Sequence, residues 1–375
     1  MKKICFIVTA EFVVKAFLLN HLYALSKIYE VTLIVNTSNP NFLLERGVNV
    51  KVIPLSIARD ISLISDFSCL IQLIKIFNQQ HFFAVHSVTP KAGLLAMLAA
   101  SLVRTPLRIH TFTGQVWVTE IGFKRFLLKQ IDCLVAFLTT HNIVDSPSQR
   151  KFLVDEKVMS FKKSIVFAQG SISGVDIARF KPDLKIKNSI RKQLNISHKA
   201  IIFLFLGRLT RDKGVLDLAI GFNNTIAGSA HLLFVGPDEQ NIQIEIKSLT
   251  ADHAKYIHFV GHTNLPEYYM VSADVLCLPS YREGFGTVII EAAAAGIPSI
   301  GSNIYGITDA IADGQTGLLH EPHDINAIGT CIFNMMNNTS LRLKLGENAR
   351  LRAIKEFDNK AITQEWLNFY QENIF

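Results

Sequence analysis

No stretch of this 375-residue chain is long and apolar enough to cross a bilayer. The longest apolar runs, such as residues 92–103, end within about a dozen residues, where Arg104 intervenes, short of the roughly 20 that a spanning helix needs. Cysteine is scarce: Cys5, Cys69, Cys133, Cys277 and Cys331 are odd in number, far apart and set among apolar neighbours. They lack metal-ligand spacing and read as small core residues in a reducing cytosol. Charge is thin as well, at 18% Asp, Glu, Lys and Arg, and mean hydropathy is +0.27. No Asp-x-Asp occurs, so no such carboxylate pair offers itself to a metal ion on a diphosphate. No Walker A loop occurs, which argues against an ATPase. No helix-turn-helix, zinc-finger or RNA-binding signature and no dense Lys/Arg run is present, which argues against nucleic acid.

What the chain does have is apolar content, 49% of its residues, enough at this length for two cores. Residues 1–8 are basic and then apolar. The apolar run is too short for a signal peptide and Glu11 and Lys15 follow, so it reads as a first buried strand. Strands are predicted at residues 4–9, 31–36, 50–53 and 82–87, with helices at 17–29 and 61–78 between them. A second series of strands is predicted at 201–206, 231–235, 257–260, 275–278 and 298–300. Two such alternations predict an α/β protein with two Rossmann-like domains, with ligand expected between the carboxyl ends of their strands. The boundary falls near residues 170–188. Residues 1–170 carry nineteen Lys and Arg against ten Asp and Glu, and 171–375 carry nineteen against twenty-one. The basic half points to an anionic partner, membrane or phosphate.

Chemistry concentrates in the second half. Gly207-Arg208-Leu209-Thr210-Arg211-Asp212-Lys213-Gly214 follows a predicted strand and sets Arg208 and Lys213 at its carboxyl end. A planar guanidinium fork and a mobile ammonium together suit a diphosphate. Glu283-Gly284-Phe285-Gly286-Thr287-Val288 then leads from a strand into an Ala-rich helix, with Glu291 eight positions after Glu283. Its glycines free the loop backbone, Thr287 is a candidate cap, and the helix N-terminus offers N–H groups to an anion.

In the first half, His86 ends a strand and Thr89-Pro90-Lys91 opens a helix, where Lys91 suits an acceptor phosphate. His110, Thr113 and Gly114 follow another strand end, His110 being equally readable as a core residue. Residues 124–138 form an amphipathic helix whose stripe is Leu127, Leu128, Ile131, Leu134, Val135 and Leu138. Phe123, Phe126 and Phe137 lie off that stripe beside Lys124, Arg125 and Lys129, a pattern suited to an anionic bilayer surface as well as to an ordinary core.

Taken together, Gly207-Arg208, Lys213-Gly214, Glu283-Gly284-Phe285-Gly286 and Glu291 resemble the retaining glycosyltransferases of family 4. Gly174-Val175-Asp176 with Phe180 and Pro182, and Asp313-Gly314 with Thr316-Gly317, add to the resemblance, which spans essentially the whole chain. It implies the GT-B fold, two Rossmann-like domains with parallel sheets facing a central cleft. Expected are an acceptor domain at 1–175, a nucleotide-sugar domain at 176–356 and a helix at 357–375 crossing back to the first. It also implies transfer of a hexose or N-acetylhexosamine from a nucleotide-sugar, UDP being expected, to a polyprenyl-diphosphate-linked saccharide. No metal or other cofactor is expected, and the setting is the cytoplasm, peripheral on the inner face of the membrane. Arg208 and Lys213 would hold the diphosphate, Glu291 the ribose and Glu283 the sugar, with Gly284, Phe285, Gly286, Thr287 and Val288 around them. His86, Lys91, His110, Thr113 and Gly114 would line the acceptor side. Many relatives place His where this chain has Thr113, and glycines where it has Thr9-Ala10-Glu11-Phe12. The rival readings are a nucleotide-sugar epimerase or hydrolase on a related double-Rossmann scaffold, and a non-catalytic sugar-nucleotide-binding protein.

Overall fold

Runs such as KICFIV and IIFLFL are buried along almost their whole length, which suits parallel strands covered by helices on both faces. The computed structural model describes residues 1–57, 62–225 and 230–374. In it the chain divides into two units, residues 1–173 with 359–375, and residues 174–358.

The first unit holds β1 (Lys3–Val8), β2 (Glu30–Val35), β3 (Lys51–Pro54), β4 (Ala84–Val88), β5 (Leu107–Phe112), β6 (His141–Val144) and β7 (Ser164–Ile165), all parallel, in the order β3-β2-β1-β4-β5-β6-β7. Between them run α1 (Glu11–Val13), a π-turn at Val14–Leu18, α2 (Leu19–Leu25), α3 (Leu63–Gln80), α4 (Pro90–Leu102), α5 (Gly122–Leu138) and α6 (Pro147–Asp155). The helix expected at 17–29 therefore begins earlier and changes its winding before it ends. Residue 61, the start of the other expected helix, lies outside the described residues.

The second unit opens with α7 (Leu184–Gln193) and β8 (Ile201–Leu206). It continues through α8 (Val215–Thr225), β9 (Ala230–Val235), α9 (Ile242–Leu249), β10 (Ile257–Val260), α10 (Pro266–Ser272), β11 (Val275–Leu278) and α11 (Thr287–Ala294). It closes with β12 (Ser299–Ser302), α12 (Ile307–Ala310), β13 (Gly317–His320), α13 (Ile325–Asn337) and α14 (Thr339–Glu356). Its sheet runs β10-β9-β8-β11-β12-β13, again all parallel. Strand order reverses between β1 and β4 in one sheet and between β8 and β11 in the other. At such a point the connections leave toward opposite faces, opening a crevice beyond the strand ends.

The final helix, α15 (Asn359–Asn373), belongs to the first unit. Its Trp366 is fully buried and stacks on His21 (4.5 Å) and on His86 (5.0 Å), while its indole N–H donates to the Ile172 carbonyl at 3.1 Å. Residue 375, the end of the expected crossing segment, lies outside the described residues.

Helix α5 corrects a sequence expectation. Of the expected stripe, Val135 is buried and Leu128 and Leu138 pack against the core, whereas Leu127 and Leu134 are exposed together with Phe123, Phe126 and Phe137. The buried Asp132 accepts the Trp117 indole N–H at 2.8 Å. Burial pushes the Asp132 carboxyl up to about 6.

Candidate active site

The two chemistry-bearing segments of the second unit leave β8 and β11, the strands on either side of its reversal point. After β8 the chain turns through Arg211–Lys213 to Gly214, whose φ is +65°. A Cβ at Gly214 would stand 2.0 Å from the Pro279 carbonyl oxygen, so only glycine lets the loops after β8 and β11 approach this closely. Gly306 plays the same part on the other flank, where a Cβ would lie 2.4 Å from the Gly284 carbonyl oxygen.

Side chains lace the two loops together. Lys213 Nζ donates to Glu283 Oε1 at 2.5 Å, and Ser280 Oγ donates to the same oxygen at 2.9 Å. Oε2 of Glu283 accepts from no described residue and stays available. Arg282 pairs with Asp212 at 2.7 Å, the Tyr281 N–H donates to the Asp212 carbonyl at 2.9 Å, and the Tyr281 hydroxyl donates to Asp217 at 2.7 Å. Thr210 and Arg282 hold the Asp212 carboxyl below its ordinary range in spite of burial, and Asp217 raises the Tyr281 phenol along with burial. Arg208 pairs with Glu239 at 2.7 Å. Each of the two diphosphate candidates therefore already faces a carboxylate, Glu239 or Glu283, which an arriving anion would have to replace or share.

Helix α11 begins one step differently from expectation. Gly286, with φ +80°, is the cap position, and no side chain caps the helix; Thr287 is its first residue. Phe285 is buried and meets Phe357 edge-on at 5.3 Å. The N–H groups of Thr287 and Val288 head the first turn, where a helix has no acceptor of its own. One turn further on, Glu291 is half-buried and accepts no hydrogen bond from a described residue. Burial drives its carboxyl up to about 7, against the pull of the Arg179 charge and with a further push from Glu267. A carboxylate left unsatisfied in this way is costly unless a ligand supplies donors.

The first-unit candidates fare unevenly. His86 is buried with both ring nitrogens engaged, Nδ1 with the Tyr370 hydroxyl at 2.8 Å and Nε2 with Thr111 Oγ1 at 2.7 Å. It is a core residue joining β4 to α15, and burial takes its pKa well below the ordinary range; the acceptor role expected of it is corrected. Lys91 already has its anion, Asp66 of α3 at 2.7 Å, so the acceptor phosphate expected there meets an occupied cation. Thr89 stands at the N-cap of α4 with φ +82° and makes no side-chain cap. Its hydroxyl donates to that of Thr9 at 3.3 Å across the reversal point. His110 is buried and bonded to Ser87 Oγ at 2.8 Å; it packs so closely on Gly93 that a Cβ there would lie 2.4 Å from the ring, and burial lowers its pKa to about 3. Thr113 and Gly114 are half-buried, and the Thr113 carbonyl accepts from Gln115 at 2.5 Å and Gln149 at 2.7 Å.

Sequence reasoning missed Glu239, Ser280, Tyr281 and Arg282 as members of the site. Glu239 follows β9 within the segment Gly236-Pro237-Asp238-Glu239, and its position at a strand end was the signal available. Among the described residues no group of three or more His, Cys, Asp or Glu converges as metal ligands.

A family model described as glycosyl transferases group 1 matches residues 186–352, and one described as glycosyl transferase 4-like matches residues 3–140. The capsular polysaccharide biosynthesis glycosyltransferase CapM of Staphylococcus aureus is 32% identical over 323 residues, 85% of this chain and 84% of that protein. An Escherichia coli protein described as UDP-Gal:alpha-D-GlcNAc-diphosphoundecaprenol alpha-1,3-galactosyltransferase is 27% identical over 338 residues, 88% and 86% of the two chains. Among solved structures, HepE of Anabaena in complex with UDP and glucose matches with a TM-score of 0.82 at 16% identity, covering 99% of this chain and 100% of that one. The shared architecture is GT-B.

Proposed function

The chain belongs to the family 4 glycosyltransferases, and from that premise we propose that it transfers a hexose or N-acetylhexosamine from a UDP-sugar to a saccharide carried on a polyprenyl diphosphate. On this proposal the anomeric configuration is retained and the enzyme works at the inner face of the cytoplasmic membrane. The observation that carries the proposal is the Lys213–Glu283 bond, which ties the loops after β8 and β11 at the reversal point; Arg208 and Glu291 stand on the same two segments of chain. The choice of UDP and of a polyprenyl carrier is supported by what the E. coli relative is described as using.

In the proposed reaction, the bond from the anomeric carbon to the diphosphate oxygen breaks and its electron pair leaves with the phosphate. The acceptor hydroxyl oxygen bonds to the same face of that carbon, and its proton passes to the leaving phosphate oxygen. Arg208 and Lys213 exchange their carboxylate partners for the diphosphate and bear the charge as it grows. No metal ion enters this scheme. Glu283, through its open Oε2, accepts from the sugar hydroxyls, and Glu291 accepts from the ribose.

Labelled nucleotide-sugars offered with lipid-linked acceptors, with product stereochemistry read by NMR, test the proposal; an inverted product overturns the retaining assignment. Arg208→Ala is expected to lower kcat/KM by the equivalent of about 2–4 kcal/mol, on the scale of losing one preorganised charge partner. Near-normal turnover would remove Arg208 from the mechanism.

A further inference from the structure

Helix α6 opens with Ser146-Pro147-Ser148-Gln149, the spacing of a capping box. Ser146 Oγ caps the first turn by accepting the Gln149 N–H at 3.1 Å. In an ordinary box the glutamine or glutamate at the fourth of these positions reaches back to the N–H of the cap residue. Here Gln149 Oε1 accepts the N–H of Asp145, one residue earlier, at 2.8 Å. That bond needs only an oxygen, which glutamate would supply together with a charge that suits a helix N-terminus. What glutamate could not supply is the amide nitrogen, and Gln149 spends it away from its own helix.

Gln149 Nε2 donates to the Thr113 carbonyl at 2.7 Å and to Gln115 Oε1 at 3.1 Å. Gln115 Nε2 donates to the same Thr113 carbonyl at 2.5 Å. A carbonyl can only accept, so both amides are fixed with their nitrogens toward it. Two glutamines, 0% and 2% exposed, thus close on one backbone oxygen just past the end of β5. Burying amides is costly unless their groups are paired, and apolar side chains of the same size would fill the space without that demand. What the amides add is a fixed position for the backbone. The tie extends to the next strand as well. Asp145 Oδ1 accepts the Ile172 N–H at 3.1 Å and its carbonyl accepts the Ser171 N–H at 2.7 Å, with Ser171 held at a left-handed φ of +64°.

Of the residues expected on the acceptor side, His86 and His110 are sealed in the core and Lys91 is paired with Asp66. Thr113 and Gly114 remain, half-buried on the loop that the two glutamines hold. We propose that Gln149, with Gln115 as its partner, is a positioning residue for the acceptor: it fixes the loop after β5 so that Thr113 and Gly114 meet the saccharide that receives the sugar. The inference rests on the transfer reaction proposed above and assigns a part in it to a side chain that lies behind the site.

Two variants of the full chain separate this role from capping. Gln149→Glu keeps an oxygen for the Asp145 N–H and loses both donations to the loop; Gln149→Met loses all three bonds. Each is assayed beside the parent with a UDP-sugar and a saccharide on polyprenyl diphosphate, and donor affinity is measured separately by calorimetry. In both variants kcat/KM for the acceptor is expected to fall tenfold or more, with its KM rising, since a misplacement of about 1 Å costs on the order of a hundredfold. Donor Kd should stay within twofold, because Arg208, Lys213, Glu283 and Glu291 all belong to the second unit. Amide hydrogen exchange over residues 112–116 should quicken tenfold or more in both. Parent-like acceptor kinetics in Gln149→Glu overturn the proposal and leave Gln149 a helix cap. A loss of rate that follows the folded fraction, with acceptor KM unchanged, overturns it too, because a purely structural residue behaves so. If the parent joins no sugar to any lipid-linked acceptor, the proposed reaction falls and the role of Gln149 with it. If the parent turns over and both variants keep its acceptor KM, only the role of Gln149 falls.

Discussion

With Glu291 holding the ribose as proposed, donor binding becomes a pH-dependent event whose size follows from the burial of its carboxyl. Its carboxyl titrates at about 7 because burial removes solvent and no described residue donates to it. On the proposed role the ribose hydroxyls bind the ionised form, so the protonated fraction must lose its proton first. With a pKa of about 7, roughly nine-tenths of the molecules are protonated at pH 6 and about one-tenth at pH 8. An intact UDP-sugar carries no group that titrates across that interval. Affinity should therefore rise about tenfold from pH 6 to pH 8, equivalent to about 1.4 kcal/mol, with about half a proton released per donor bound at pH 7. Isothermal titration calorimetry in two buffers of different ionisation enthalpy measures both quantities. Glu291→Gln should bind more weakly and show neither the pH dependence nor the proton release. An affinity that is flat across the interval, or tighter at pH 6, would refute the reasoning.

Gly214→Ala combines a left-handed φ with a Cβ 2.0 Å from the Pro279 carbonyl oxygen; it should cost more than the usual 1 kcal/mol of a positive-φ glycine, seen as a lower urea midpoint, and should lower turnover by pushing apart the loops that carry Lys213 and Glu283. Trp366→Ala empties a fully buried site stacked on two histidines and should destabilise the first unit by about 3–5 kcal/mol, read as a drop in Tm. The buried histidines should make the protein acid-sensitive. Burial lowers His21 to about 4 and His110 to about 3, and takes His86 well below its ordinary range. Below pH 6.5 the unfolded chain takes up protons that the folded chain refuses, so their contribution is complete above pH 6.5 and fades as pH falls, by about 2 kcal/mol per histidine at pH 5. A Tm that stays level between pH 7 and pH 5 would contradict this.

The alternation of strands and helices was legible because parallel strands buried on both faces are continuous apolar runs, as in residues 201–206 and 275–278, and because local periodicity needs no partner to be seen. The edge strand β7 was missed, being only two residues long. Arg208, Lys213, Glu283 and Glu291 could be named from sequence because strand-end loops with glycines and charges are local patterns. Their partners could not be named. Glu239 meets Arg208, and Lys213 meets Glu283, only when strand order sets the loops of β8, β9 and β11 side by side.

His86 and helix α5 mark where local pattern misleads. A histidine at a strand end reads as a site residue until α15, nearly three hundred positions away, brings Tyr370 to its ring. A helix with two apolar stripes can turn either one inward, and in α5 the side that carries Asp132, Val135 and Ala136 is the buried one. Composition, strand and helix spacing and the donor motifs are properties of neighbouring residues, so the amino-acid order alone established them. Which charges meet, which histidines are sealed and which helix face meets solvent depend on contacts across dozens to hundreds of positions, and these exist only once the sheets have formed.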